Sequence, residues 1–502
     1  MTPLKPSSGS FTVRMYRQGH GDCFLLATPK LTREPFYMLI DCGLWNGSQI
    51  DLTIEEVIED IKAATGGRLD VLLITHEHLD HVSGFSAATP GGAPGSLWDG
   101  FDIREVWLAW TEDGDDPDAN DLRKRFNDTL IGLNALHEKA LQLGVDGGTD
   151  DRLLLINELV YLQTGDRVGG NAFAATPANG PSIPGYSNKM AIKRMRDRGR
   201  VKFLAPNEGP YSLPGVDPEL RVYALGPPRD PKLLLSLDPS GAEEFKFGLD
   251  ASASLVLDAG RSALDEAERS TPFSPRYGRR PDEIWDDEKA FFLEHYGDPN
   301  DKDGPKSWRR IDGDWLDTAE ELALRLNDEV NNTSLVVAFE LPRSKKVLLF
   351  TGDAQRGSWI SWSKLSWTVN NIVVTARELL ARAVFYKVGH HGSHNATLNG
   401  QDADDYANLE WMAKGKAAEE FAAMIPANRP WAMKKKPRPW LHPLKAIEDR
   451  LRVKTQGRLI RMDETRLPAQ PDGTHTRIWK KFQARAKLDR SYIQISVKDG
   501  WE

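Results

Sequence analysis

The chain has 502 residues, 40% hydrophobic and 27% charged, a globular balance long enough for one large domain or two to three smaller ones. No run of about 18 apolar residues occurs, so no membrane-spanning helix is expected, and residues 1–10 lack the apolar core of a secretory signal. The net charge of −8 argues against a protein that coats duplex nucleic acid, and two cysteines, Cys23 and Cys42, without CxxC spacing suggest a reducing, cytoplasmic setting.

In chain order, residues 11–13 and 23–27 read as strands around the turn Gly19-His20-Gly21-Asp22, with Asp22 holding the turn. A strand over 36–40 ends in Asp41-Cys42-Gly43. Helical spacing over 54–64, acidic at its start, stops at Gly66-Gly67. Residues 69–74 are a short apolar run expected to form a buried strand, and 106–110 the next one. A helix is expected over 120–143, a charged, Arg-rich stretch over 192–202, and a strand over 221–225. Residues 230–328 are polar, with helical pieces at 288–295 and 318–326. Strands resume at 334–340 and 346–351, followed by a helix over 375–382 and a strand over 383–388. The tail reads as a helix near 417–424, a Pro/Lys-rich loop over 426–443, a helix over 444–451, and strands at 458–462 and 492–497.

His76, His78, Asp80 and His81 lie within six residues at the end of the strand over 69–74, although the chain has only 11 histidines. Imidazole suits zinc and its neighbours, and a carboxylate admits harder ions such as manganese. Alternate side chains of a loop leaving a strand let His76 and His78 share one ion while Asp80 and His81 reach a second. Two remote apolar strands end in further ligand types: Asp353 after 348–352, and His390, His391 and His394 after 385–389.

These residues resemble the metallo-β-lactamase superfamily, whose HxHxDH signature matches His76, His78, Asp80 and His81. The resemblance implies an α/β, four-layer αββα sandwich with large insertions. It implies Asp41 as the carboxylate that orients the histidine loop, Asp353 as a bridging ligand, and His390, immediately after its strand, as the late ligand. Within the superfamily the chain looks most like the ComEC-like hydrolase domain, without the membrane channel. That likeness rests on Gly19-His20-Gly21-Asp22-Cys23, Asn331-Asn332-Thr333-Ser334, Val388-Gly389-His390-His391-Gly392-Ser393 and, more loosely, His442-Pro443. The superfamily's further histidine has only His137 and His295 as candidates, and neither follows a strand.

The expected organisation is a hydrolase domain over 11–502, with insertions at about 112–220 and 230–328 and a C-terminal extension from about 401. The expected cofactors are two divalent ions, Zn2+ or Mn2+, on His76, His78, Asp80, His81, Asp353 and His390. Such a pair clamps a phosphodiester and ionises a water near neutral pH, making the chain a phosphodiesterase or nuclease. Asp80, Asp353 and His391 are the candidate catalytic groups, and His20, Asn332 and Ser393 the candidate substrate contacts. Lys387 reads as a strand-edge lysine facing water. The basic stretches 193–202 and 434–438 read as solvated surface rather than a polyanion track. The same scaffold type also serves other esters, lactones and thioesters, and an insertion can serve a protein partner.

Overall fold

The computed structural model describes residues 3–142, 150–167, 186–245, 286–297, 314–436 and 438–501. Much of the insertion expected at 230–328 therefore lies outside the described residues.

Two mostly buried sheets form the middle of the molecule. The first has eight strands, in spatial order Ala486–Leu488, Tyr492–Lys498, Ser10–Tyr16, Phe24–Pro29, Pro35–Ile40, Arg68–Leu73, Asp102–Ala109 and Arg200–Leu204. The second has seven: Leu459–Arg461, Ala422–Ile425, Ala383–Lys387, Val347–Phe350, Val336–Glu340, Arg221–Gly226 and Tyr211–Ser212. Alternation along each strand explains the layering. Val13, Met15, Leu26, Met38, Ile40, Val71 and Leu73 of the first sheet meet Val222, Val337, Phe339, Leu348 and Phe350 of the second in one core. The opposite faces carry apolar residues too. Leu25, Leu39 and Leu72 pack with Val57, Ile58 and Ile61 of helix α1 (Ile54–Thr65). Tyr223, Ala338 and Leu349 pack with Trp359, Trp362, Leu379 and Ile447 of outer helices. Burial on both faces gives the near-continuous apolar strands seen in the sequence, and the result is a four-layer αββα sandwich.

The segment after 401, expected to be an extension, supplies strands to both sheets. The helix expected over 417–424 is split: Lys416–Glu420 is helical and Ala422–Ile425 is a strand parallel to Ala383–Lys387. Four residues are too few for periodicity to separate the two states. The Arg-rich stretch is likewise divided between a helix, Ser187–Arg196, and the edge strand Arg200–Leu204.

The two sequence insertions meet in space. Helices α3 (Pro117–Gln142) and α4 (Asp151–Thr164) come from the first, and Asp314–Asn331 from the second and the residues that follow it. Phe126, Leu130, Leu153, Ile156, Val160, Leu316, Ala323 and Leu326 give this three-helix unit a core of its own. It stands beside the loop that carries His76–His81, with α4 against helix α2 (Leu79–Val82).

Candidate metal centre

The loop that leaves Arg68–Leu73 is held by a carboxylate. Asp41 ends the neighbouring strand with a positive φ of 54°. Its Oδ1 accepts the Thr75 backbone N–H (2.8 Å), and its Oδ2 accepts the Thr75 hydroxyl (2.6 Å) and Nδ1–H of His81 (2.8 Å). Gly43 allows the approach of the two loops: a Cβ there would overlap the backbone of Asp80 and His81. The metal loop is thus fixed by hydrogen bonds and by a close backbone fit.

Four residues from remote segments, Asp22, His81, Asp353 and His391, are buried and offer ligand atoms all within 4.8 Å of one another. Nε2 of His81 is 3.2 Å from Oδ2 of Asp353, and Nε2 of His391 is 2.8 Å from Oδ2 of Asp80. The His76 ring lies 4.7 Å from that of His78 and 4.2 Å from that of His81, centre to centre. Seven of the eleven histidines, residues 20, 76, 78, 81, 390, 391 and 442, form one chain of ring contacts, a concentration that scattered surface histidines would not give.

The residues fit a cation. Nε2 of His76, Nε2 of His81, Oδ1 of Asp80 and Oδ1 of Asp22 are buried and have no hydrogen-bond partner among the described residues. Leaving a buried polar atom unsatisfied costs about 1–3 kcal/mol, so these atoms call for partners that the protein itself does not supply. The other ring nitrogens are engaged: Nδ1 of His76 by the Thr75 and Ser334 hydroxyls (3.1 Å each), Nδ1 of His81 by Asp41, and Nδ1 of His391 by the Pro426 carbonyl (2.8 Å). A partner on one nitrogen that aims the other is the usual support of a metal-binding imidazole.

Without a cation, protons take its place. Burial opposes charge on His81, but Asp353, Asp22 and Asp41 outweigh it and raise its pKa well above the ordinary value. Burial would raise Asp80, but the His391 hydrogen bond and His81 hold it down at about 2. Burial, with His81 and His78 adding to it, drives His76 far down, and burial brings His78 and His390 to about 4. Burial likewise lowers His20 and His442, helped by the neighbouring imidazoles.

A pH prediction follows for metal-free protein. Five imidazoles are held neutral in the fold, so between about pH 6.5 and 4 the unfolded chain binds more protons than the native one. Stability falls as pH falls through that window. Asp22, raised by burial to about 6 against the pull of Lys387, and Asp328, raised by burial to about 7, work the other way there. His81 and His391 are raised, so their opposing contribution is complete once the pH is below the ordinary histidine value. The melting temperature of chelator-treated protein is expected to drop from pH 6.5 to pH 5; an unchanged or higher value at pH 5 would contradict these imidazole environments.

Several sequence expectations need correction. The late ligand is expected from the sequence at His390; it is His391 that joins the cluster of Asp22, His81 and Asp353, while Nδ1 of His390 is buried without a hydrogen-bond partner among the described residues. His390 and His391 adopt left-handed backbone, φ 43° and 52°, which turns the second ring into the cluster. His390 instead donates its backbone N–H to Oδ1 of Asp353 (3.1 Å), with ring Nε2 3.3 Å from the Asn331 amide nitrogen. Lys387 does not face water: it is 1% exposed, and its ammonium lies 2.5 Å from Asp22 and 3.3 Å from Asp353 while donating to the Gly352 carbonyl (2.7 Å). Asn332 is fully buried and spends its amide on the carbonyls of Leu233 and Leu234 and on N–H groups of Gln355 and Ser358, so it has nothing left for a phosphate. His20 is buried as well, between His391 (4.1 Å), Trp431 (5.1 Å) and His442 (5.5 Å). Ser393 is buried, with its Oγ 3.5 Å from Nδ1 of His394. Neither His137, inside α3, nor His295, against Phe291 (4.4 Å), is among the clustered residues.

The basic stretches are largely engaged. Lys193 pairs with Asp197, Arg198 with Asp99 and Arg200 with Glu105, and Lys202 lies over Trp107 and Tyr211. The Lys435 ammonium sits 4.7 Å, 5.1 Å and 4.9 Å from the ring centres of Trp45, Trp431 and Trp440 and pairs with Glu158 of α4. It ties the loop after Ala422–Ile425 to the helical unit. Lys434 and Lys436 remain exposed. No helix among the described residues is long and apolar enough to cross a membrane.

Residues 17–90 match the family model described as Metallo-beta-lactamase superfamily. No curated protein and no solved structure matches the chain significantly. The matched segment carries Asp22, Asp41 and the whole histidine loop, and the four-layer sandwich around it is consistent with the metallo-β-lactamase fold.

Proposed function

We propose that this chain is a metal-dependent hydrolase of phosphodiesters, with His76, His78, Asp80, His81, Asp353 and His391 holding two divalent ions, zinc or manganese. The observation that carries the reading is the buried cluster of Asp22, His81, Asp353 and His391, brought together from four remote segments beside the unpartnered ligand atoms of the histidine loop. When bound, two such ions supply Lewis acidity and a water ionised near neutral pH.

The chain's own residues set the rest. A carboxylate held near 2 is a poor proton store, so Asp80 contributes charge and, through its 2.8 Å contact, orients His391. Asp353 keeps Oδ1 on Lys387 and the His390 N–H and leaves Oδ2 facing His81 and His391. His442 is half-buried, stacked on His20 at a 10° interplanar angle, and is the candidate to meet substrate at the rim. A nuclease is the narrower form of the proposal. Exposed Lys434 and Lys436 support it, with Lys435 engaged by the tryptophans.

The test is turnover of bis-p-nitrophenyl phosphate by metal-loaded protein. The wild type is expected to cleave it and His78→Ala to lose about 10²-fold or more. Hydrolysis of lactones or thioesters without any phosphodiester turnover would replace the substrate class and keep the metal site. Cleavage of single-stranded DNA that weakens when Lys434 and Lys436 are neutralised would support the nuclease form.

A further inference from the structure

Gln163 belongs to α4, inside a stretch whose sequence offers no functional motif, and it is 4% exposed. Its backbone carbonyl and that of Leu162 accept the Asn188 amide (3.2 and 3.0 Å), which fixes the end of the helix. Its side chain reaches the histidine loop. Oε1 lies 2.9 Å from Nε2 of His78, and Nε2 donates to Oε1 of Glu77 at 2.6 Å.

The chemistry of this trio leaves one arrangement. The amide NH2 donates to Oε1 of Glu77, whose Oε2 lies 3.9 Å from the ammonium of Lys189 on the helix Ser187–Arg196. The amide oxygen then faces His78, and His78 must carry its proton on Nε2. Its Nδ1 is left bare, on a ring 4.7 Å from that of His76. The orientation of the amide, otherwise a matter of assignment, is set here by Glu77.

We propose that Gln163 is a positioning residue for the metal centre. Its Oε1 accepts a hydrogen bond from Nε2–H of His78, fixes Nδ1 as the metal-binding nitrogen, and thereby makes the helical insertion a working part of the site. The inference rests on the metal reading above and adds which nitrogen binds and what holds it. A partner that fixes the tautomer and orientation of a ligand imidazole is worth about 10–100-fold in metal affinity.

The test uses full-length wild type, Gln163→Met and the exchange Glu77→Gln with Gln163→Glu. Each is titrated with cobalt(II) or zinc against a competing chelator, with the cobalt visible spectrum and the metal-free melting temperature as further readouts. Gln163→Met is expected to lose about 10–100-fold in affinity for one ion and to change the cobalt spectrum. The exchanged pair keeps both hydrogen bonds: the carboxylate now on α4 still accepts from His78, and the amide now on the histidine loop donates to that carboxylate. It is therefore expected to recover affinity and spectrum. This recovery separates positioning from a merely structural role, which would leave the exchange no better than Gln163→Met. Wild-type affinity and spectrum in Gln163→Met, or failure of the exchange to recover them, would overturn the inference. Wild type that binds no metal would instead overturn the reading on which it rests.

Discussion

Asp353→Asn is expected to cut phosphodiester turnover by at least about 10²–10³-fold and to weaken metal retention, while the fold survives. The carboxylate faces His81 at 3.2 Å and Lys387 at 3.3 Å, and accepts the His390 backbone N–H at 3.1 Å. Two left-handed histidine backbones and a buried lysine are therefore arranged around one side chain. Asparagine matches its shape but brings no charge to offset two cations, and removing one such electrostatic group in a water-poor site typically costs that range. The measurement is kcat with saturating metal, alongside circular dichroism to show that the fold persists. Turnover within a few-fold of wild type would remove Asp353 from the site.

The second large effect is on stability. Lys387→Met is expected to destabilise the metal-free protein by about 3–5 kcal/mol, the usual cost of stranding a buried charge by deleting its partner. Lys387 is the only lysine within ion-pair distance of Asp22 and Asp353 among the described residues, and no side chain of the three is more than 2% exposed. Adding Asp22→Asn is expected to recover most of the loss, because a neutral pair in place of a buried ion pair is often tolerated. Metal should also stabilise Lys387→Met more than wild type, since a cation then faces carboxylates that have lost their ammonium. Chemical denaturation of wild type, the two single variants and the double variant, with and without metal, checks this. An additive double variant would contradict the coupling of Asp22 and Lys387.

Asp353 and Lys387 also mark what the sequence can carry. The histidine loop, Asp41 and Asp353 are legible because each follows an apolar strand, and strand ends are where a sandwich gathers ligands. The choice between His390 and His391 is not legible, since it depends on two adjacent residues entering left-handed backbone, and no pattern encodes that. The role of Lys387 is hidden because alternation implies a wet face, whereas both faces of this strand are covered. Gln163 lies 85 residues from His78 in a helical unit with no motif spacing, and only the packing of α4 against α2 brings it to the loop. The short strand Ala422–Ile425 is hidden for a simpler reason: its four apolar residues suit helix and strand equally.

Whether the buried cluster holds cations is decided by metal counting on chelator-stripped, reconstituted and dialysed protein. Two divalent ions are expected to be retained per wild-type chain, with a clear loss in His81→Ala and Asp353→Asn. Wild-type protein that retains none, or variants that retain as much as the wild type, would contradict a cation-binding role for these residues.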